Sequence, residues 1–299
     1  MTLAFLFGGQ GTEVPRMGLD LAAHVPPAAA LLDLAGAVAG VDARSVLAEA
    51  GPELRRTSVI QPLLVAVGLG ACAALATEGI APRFVAGHSL GELTAWAAAG
   101  AIGDRAAVEL AGLRGRLMER EAARNPGGMH AITGDDSEVA ELVARHGVAL
   151  AAHNGPEEWT VSGDTSRLAA LASSRATTRL PVAGAWHSPA MAGAVDELAR
   201  AIRSTALAKP RANVIANSDG RAVADPDAVA ELLAGQLVRP VQWASCLRTL
   251  AAAGVTTYVV LGPSKLLRST VHKNLGRDVR VIVVETFRDV AAAREQLRA

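Results

Sequence analysis

The sequence predicts an α/β fold: a parallel sheet covered by helices on both faces, with a small four-stranded unit inserted into it. Three observations carry this. Short apolar runs at residues 3–7, 83–86, 214–217, 256–261 and 279–284 alternate with longer Ala- and Leu-rich helical stretches, the order of a parallel sheet with crossover helices. Between residues 125 and 187 the order becomes strand, helix, strand, strand, helix, strand, that of a ferredoxin-like unit. The run Phe84-Val85-Ala86-Gly87-His88-Ser89-Leu90-Gly91-Glu92 places Gly-x-Ser-x-Gly between a strand and a helix. The expected division is a large subdomain, 1–124 and 188–299, and a small ferredoxin-like subdomain, 125–187.

Taken in order, residues 3–7 form a strand that runs into the turn Gly8-Gly9-Gln10-Gly11. By itself this stretch reads as an ordinary strand-to-loop turn, although three glycines around one glutamine bring the backbone close to something. Residues 19–39 are helical, broken at Pro26-Pro27, and 46–54 form a short helix. Residues 60–76 are strongly apolar, but the run is short, holds two glycines and starts beside Gln61-Pro62, so it reads as a buried core helix and not a membrane span. A strand at 83–86 and a helix at 93–101 flank the serine, and a helix at 104–123, capped by Asp104, carries Arg114 and Arg116. Asn125-Pro126-Gly127-Gly128 reads as a linker-like break.

The inserted unit reads as strand 129–133, helix 136–146, strand 148–152, a turn at Asn154-Gly155-Pro156, strand 159–162, helix 165–174 and strand 178–182. After His187-Ser188-Pro189 come a helix at 191–206, a strand at 214–217, a turn at Asp219-Gly220 and a helix at 227–236. A helix from Trp243 through Ala253, a strand at 256–261, a turn at 262–265, a helix from Leu266 and a strand at 279–284 complete the chain.

Composition bounds the function. A chain of 299 residues, 51% hydrophobic, can bury a full core without disulfides or metal. Its formal net charge of zero gives no general basic field for nucleic acid and no polybasic membrane patch. Cys72 and Cys246 sit in apolar helical stretches and read as buried free thiols, with no C-x-x-C and no Cys/His cluster at metal-ligand spacing. The strand-like run at residues 1–5 has no basic region before it, so no signal peptide is expected and the protein is expected in the cytoplasm.

The chemistry centres on Ser89. Glycines two residues to either side let strand and helix backbones pass closely, so the serine can take a strained conformation with its hydroxyl exposed. The following helix points its N-terminal amides back at Ser89, where they can stabilise an oxyanion, and the Leu90 N–H is the natural first donor. A plain Gly-rich turn or a phosphate cradle is the alternative reading. Ser89 needs a base. His24, His146 and His272 lie in polar helical settings, and His130 and His153 lie in the small unit. His88 is adjacent to Ser89 and points away from it. His187 stands where the chain leaves the small unit, at the boundary of the two subdomains, where a cleft is expected.

Six motifs occur in one order: Gly8-Gly9-Gln10-Gly11, Gly87-His88-Ser89-Leu90-Gly91-Glu92, Leu113-Arg114-Gly115-Arg116-Leu117-Met118, Gly184-Ala185-Trp186-His187-Ser188, residues 236–243 and Leu261-Gly262-Pro263. Together they resemble the malonyl-CoA:acyl-carrier-protein transacylase family, which includes the acyltransferases of polyketide synthases, from residue 4 to about 275. The resemblance implies an α/β-hydrolase-like large subdomain with a ferredoxin-like insert. It also implies Ser89 as nucleophile, His187 as general base and acid, and Gln10 with the Leu90 amide as the oxyanion hole. Arg114 would pair with the free carboxylate of a malonyl group, a bidentate task that suits a guanidinium. The histidine is oriented in the family by a backbone carbonyl near Gln236, and no third acidic residue is obvious in the sequence. Trp186, His88 and Asn154 fall at substrate-binding positions.

Two departures stand out: Gly8 where the family usually has proline, and Trp186 where phenylalanine is common. No cofactor or metal is implied. The partners implied are malonyl-CoA and a phosphopantetheinylated acyl carrier protein, not nucleic acid or membrane, and the expected state is a monomer. The first strand opens the chain and the last closes it, so it reads as a free-standing enzyme acting in trans, in fatty-acid or polyketide synthesis. Three alternatives remain: an acyl-carrier-protein acyl hydrolase, the malonyl-loading subunit of a malonate decarboxylase, and a non-catalytic docking module for carrier proteins.

Overall fold

The computed structural model describes residues 2–263 and 265–298; Met1 and Ser264, both within predicted segments, lie outside the described residues, as does Ala299. The strands, in chain order, are β1 Leu3–Phe7, β2 Phe84–Gly87, β3 Gly127–Thr133, β4 Ala149–Gly155, β5 Glu158–Asp164, β6 Thr178–Arg179, β7 Asn213–Ile215, β8 Ala222–Val223, β9 Thr257–Leu261 and β10 Arg280–Val284. They form a six-stranded sheet of order β10-β9-β1-β2-β7-β8 and a four-stranded sheet of order β4-β5-β3-β6.

The first sheet is parallel except for β8, which turns back on β7. Its central strands β1 and β2 are apolar and buried at every position because both faces are covered, and the two-residue period sorts β1 between two cores. Leu3, Phe5 and Phe7 of β1 face one core with the buried helix Thr57–Thr77, while Ala4 and Leu6 face the other with Trp243, Leu247 and Val271. Thr57–Thr77 is long and apolar enough to cross a membrane, but 83% of its most apolar window is buried, between the helices Pro26–Ala39 and Asp104–Arg124 and beneath the sheet. It is a core helix, as its length and glycines imply.

The second sheet is antiparallel, with its own core of Ile132, Val139, Leu142, Trp159, Val161, Leu168 and Leu171 beneath the helices Asp136–His146 and Thr165–Ser174. Strand order and crossovers are those of a ferredoxin-like unit. It is laced to the large sheet's side by main-chain hydrogen bonds: His153 N–H donates to the Val241 carbonyl (2.9 Å) and Val241 N–H to the Ala151 carbonyl (2.9 Å).

Several local expectations change. The predicted linker 125–128 is half strand, because Gly127 and Gly128 pair with Asp164 and Gly163. The expected turn at 154–156 begins later, because β4 runs to Gly155, which pairs with Glu158 of β5, with a register shift at Asn154. Helix Leu90–Ala98 starts three residues earlier than expected, directly after Ser89. Asp104 lies in the first turn of its helix and its side chain makes no cap; the capping position is Gly103. The predicted helix 46–54 is Ala43–Glu49 followed by a 3-10 turn, Pro52–Arg55. The predicted strand 178–182 shortens to Thr178–Arg179, and the helix Phe287–Arg298, which follows the last strand, was not expected.

Candidate active site

Ser89 stands at the end of β2 with φ 54° and ψ −112°, a conformation non-glycine residues rarely take. The surrounding backbone leaves it no alternative. A methyl group on Gly87 would lie 1.9 Å from the Gly91 carbonyl, and one on Gly91 would lie 2.2 Å from the Phe7 carbonyl. Strand, serine and helix are therefore pressed together, with glycine at the two closest approaches. Asn217, just beyond β7, clamps the turn: its Oδ1 accepts from the Ser89 N–H at 2.8 Å and its Nδ2 donates to the Gly87 carbonyl at 2.8 Å.

His187 Nε2 lies 2.7 Å from Ser89 Oγ, and His187 Nδ1 lies 2.8 Å from the Gln236 main-chain carbonyl. A carbonyl only accepts, so Nδ1 carries the proton and Nε2 is left to accept from the serine hydroxyl. Burial, reinforced by the Arg114 charge, holds the imidazole pKa down to about 3 despite that carbonyl. His187 is therefore neutral at physiological pH, the state in which an imidazole can accept a proton.

Arg114 is 4% exposed. Its guanidinium donates to Gln61 Oε1 (2.9 Å) and Gln236 Oε1 (3.0 Å), and reaches Ser89 Oγ at 3.5 Å. Burial lowers its pKa to about 10, with Glu92 opposing, so it stays a cation near neutral pH. These hydrogen bonds go to uncharged oxygens, so a buried positive charge waits beside the serine.

The Gly9–Gln10 turn is not the ordinary turn its local sequence suggests. A methyl group on Gly9 would lie 2.5 Å from the His88 carbonyl, 3.4 Å from the Leu90 nitrogen and 3.5 Å from Ser89 Cβ. The turn is packed on the elbow, next to the Leu90 N–H, which as the first residue of its helix has no intrahelical acceptor. Thr57 Oγ1 donates to Gln10 Oε1 and anchors the Gln10 side chain.

Ser89, His187, Arg114, Gln10 and Leu90 open onto one cavity of about 580 Å³ between the two sheets, which His88, Asn154 and Trp186 also line. His88 does not reach Ser89. Its Nε2 lies 2.8 Å from Asn154 Oδ1, and Asn154 Nδ2 donates to Thr160 Oγ1 at 3.1 Å, so this pair ties the elbow to the small sheet. Trp186 is 4% exposed; its ring packs on Gly184, and its carbonyl accepts from Ser162 Oγ of β5. Gln236 contributes more than its carbonyl: its side-chain Nε2 donates to Glu92 Oε2 (2.6 Å), Ser89 O (2.9 Å) and Asn217 Oδ1 (3.1 Å).

The acyl transferase domain family model matches residues 4–297. The chain is 32% identical to the malonyl CoA-acyl carrier protein transacylase of Bacillus subtilis, over 99% of this chain and 97% of that one. The chain belongs to the malonyl-CoA:acyl-carrier-protein transacylase family. It is thus an enzyme, an acyltransferase. It is also 36% identical to the spectinabilin polyketide synthase system protein NorB of Streptomyces orinoci, over 89% of this chain but 13% of that much longer protein. A solved malonyl-transacylase from a type II polyketide synthase, in complex with its acyl carrier protein, superposes on it with a TM-score of 0.92 at 26% identity, covering 99% of this chain and all of that one.

The residues expected at the site of this acyltransferase all line or border one cavity. Gln61, Asn217 and the Glu92 side chain were not singled out from the sequence. Gln61 had a signal, as an amide at the head of an otherwise apolar core helix. Glu92 was visible only as part of a motif, and Asn217 as the last residue of a strand.

Proposed function

We propose that this acyltransferase moves a malonyl group from malonyl-CoA to the phosphopantetheine thiol of an acyl carrier protein through an ester on Ser89. His187 Nε2 takes the Ser89 proton as Oγ attacks the thioester carbon, and the carbonyl oxygen becomes an oxyanion facing the Leu90 N–H and the Gln10 main chain. The oxyanion collapses, the C–S bond breaks, and the departing sulfur receives the proton from His187. In the second half-reaction the carrier thiol gives its proton to His187 and attacks the ester; the C–O bond breaks, and the leaving Ser89 Oγ takes that proton back from His187.

Arg114 holds the free carboxylate of the malonyl group. The observation that carries the reading is the arrangement of these groups in one cleft: a serine, a neutral histidine oriented by a carbonyl, and a buried guanidinium bonded only to uncharged oxygens. A site for uncharged acyl chains has no use for that cation, which argues against a simple acyl hydrolase. Residues 125–187 form the subdomain that closes one side of the cleft and keeps water from the ester. The chemistry is that of the serine, the histidine and the substrate, without a cofactor. The reading also carries a cytoplasmic setting and a monomeric state.

Intact-mass measurement after incubation with a panel of acyl-CoA esters tests this. The wild type should gain one malonyl group, lose it on addition of a holo carrier protein, and pass the same mass to that carrier; Ser89→Ala should gain nothing. Equal loading of malonyl and acetyl groups, or release of malonyl only to water, overturns the proposal.

A further inference from the structure

Glu92 lies in the first turn of helix Leu90–Ala98, behind the serine, and is 1% exposed. Its Oε2 accepts from Gln236 Nε2 at 2.6 Å, whereas its Oε1 is buried with no partner. One helical turn on, Trp96 Nε1 is also buried without a hydrogen bond of standard geometry, although its N–H dipole still acts on the carboxylate. A carboxylate half-satisfied in a sealed core costs stability unless it has a charge to answer. The amide of Gln236 supplies the link: its Nε2 faces three acceptors, Glu92 Oε2, Ser89 O and Asn217 Oδ1, so its Oε1 must face Arg114. Glu92 and Arg114 are thereby joined through one amide whose residue also presents the carbonyl that orients His187.

We propose that Glu92 is a positioning residue that serves as the resident counter-charge of Arg114 and takes up a proton when the substrate carboxylate replaces it. This rests on the reading of Arg114 as the malonyl-binding group. With the site empty, ionised Glu92 answers the Arg114 charge through Gln236. With malonyl bound, two carboxylates would share one guanidinium, and like charges so placed favour protonation of one. The substrate carboxylate makes direct contact with the cation and stays ionised; Glu92, one amide further away, accepts a proton from solvent and becomes a neutral acid that loses no bond to Gln236, because its carbonyl oxygen still accepts.

The charged or titratable groups facing Glu92 from the elements packed on it are Arg114 on helix Asp104–Arg124 and Cys246 on helix Trp243–Ala252. Burial pushes the Cys246 thiol well above its usual range, so it stays neutral. Burial also raises Glu92 to about 7, against the opposing pull of Gln236, the Asn217 backbone, Trp96 and Arg114. The group is therefore poised where a second nearby charge can change its state.

Binding and protonation are then reciprocal: malonyl binds better to the protonated enzyme, and the protonated enzyme is favoured by malonyl. The KM for malonyl-CoA should rise by about fivefold or more between about pH 6 and about pH 8, the low end of typical coupling between two ligands. The KM for acetyl-CoA, which brings no carboxylate, should stay flat. In Glu92→Gln, which keeps the shape and an acceptor for Gln236 but cannot ionise, the malonyl profile should become flat as well. A flat wild-type profile, or the same slope in Glu92→Gln, overturns the proposal.

Should Glu92→Gln fail to fold, proton uptake decides, followed in weak buffer with an indicator dye on wild-type enzyme. Malonyl-CoA should draw in more protons per loaded site than acetyl-CoA, and equal uptake overturns the proposal. The underlying reading fails separately: it falls, and this inference with it, if Arg114→Ala keeps the malonyl preference. The counter-charge alone fails if loading depends on Arg114 but its pH profile ignores Glu92.

Discussion

Ser89 and His187 are both non-glycine residues held at positive φ, 54° and 57°, and their reactive atoms meet at 2.7 Å. Each such conformation costs on the order of 1–3 kcal/mol and persists only where the surroundings over-determine it. For Ser89 the surroundings are Gly87, Gly91 and Asn217. For His187 they are the Gln236 carbonyl and the hydrogen bond from Ser188 Oγ to the Ala185 carbonyl just upstream. Both partners of this one hydrogen bond are thus held in uncommon backbone conformations, which fits the proposed reactive pair.

Replacing His187 with alanine should slow both half-reactions by about 10² or more, the usual worth of a positioned base. The wild type should show no acid limb of loading between about pH 7 and pH 5, since burial holds His187 neutral down to about 3. Stability follows the same lowered value. Unfolded chains bind the proton near the ordinary histidine range and the native chain does not, so stability is full above that range and is lost as pH falls toward 3. Stopped-flow loading and thermal melts across this window check both; an acid limb centred near the ordinary histidine value would contradict the burial argument.

Gly9→Ala should cost activity far more than stability. The added methyl meets the His88 carbonyl at 2.5 Å and must push the Gly9–Gln10 turn off the elbow. Loss of one oxyanion donor is typically worth about 10²–10³ in rate. The expected result is such a drop in malonyl loading with the fold retained by circular dichroism. Near-wild-type rates would remove the Gln10 main chain from the oxyanion hole.

Arg114→Ala should lose its preference for malonyl-CoA and gain relative activity toward acetyl-CoA. The guanidinium is buried and bonded only to uncharged side chains, so an arriving carboxylate gains a desolvated partner that an acetyl group cannot use. Competition between the two esters, read by intact mass, measures the ratio. An unchanged ratio would make Arg114 a purely structural residue.

Trp186 bears on branching at the α-carbon. Its indole lines the cleft next to His187 and is backed by Gly184, where even a methyl would sit 2.3 Å from the ring, so it cannot easily retreat. Malonyl-CoA should therefore be preferred over methylmalonyl-CoA by roughly 10- to 200-fold, the worth of one misplaced methylene in a closed pocket. Trp186→Ser should narrow the gap. Equal loading of both esters by the wild type would dismiss the steric argument, and equal losses for both in the variant would assign Trp186 to packing between the subdomains.

The sequence by itself determined most of the elements and the turn at Ser89. Strand and helix runs follow from local periodicity, and the elbow from Gly87 and Gly91 at fixed spacing about Ser89, because steric limits on one turn act within a few residues. The motif order further pointed to His187, Arg114 and Gln10, which the fold brings to one cavity with Ser89. Only the tertiary structure decided what holds them. Asn217 lies 128 residues from Ser89 and Gln236 lies 144 from Glu92, and those hydrogen bonds exist only once β7 is laid beside β2. Asn154 reads locally as a turn residue, yet it lies within a strand because its neighbours His153 and Gly155 pair with β5, while on the other edge Val241 accepts from the His153 N–H and donates to the Ala151 carbonyl. Glycine and proline restrict their own dihedrals wherever they stand, whereas a carboxylate or an amide acquires a role only from the donors and charges the fold brings within about 3 Å of it.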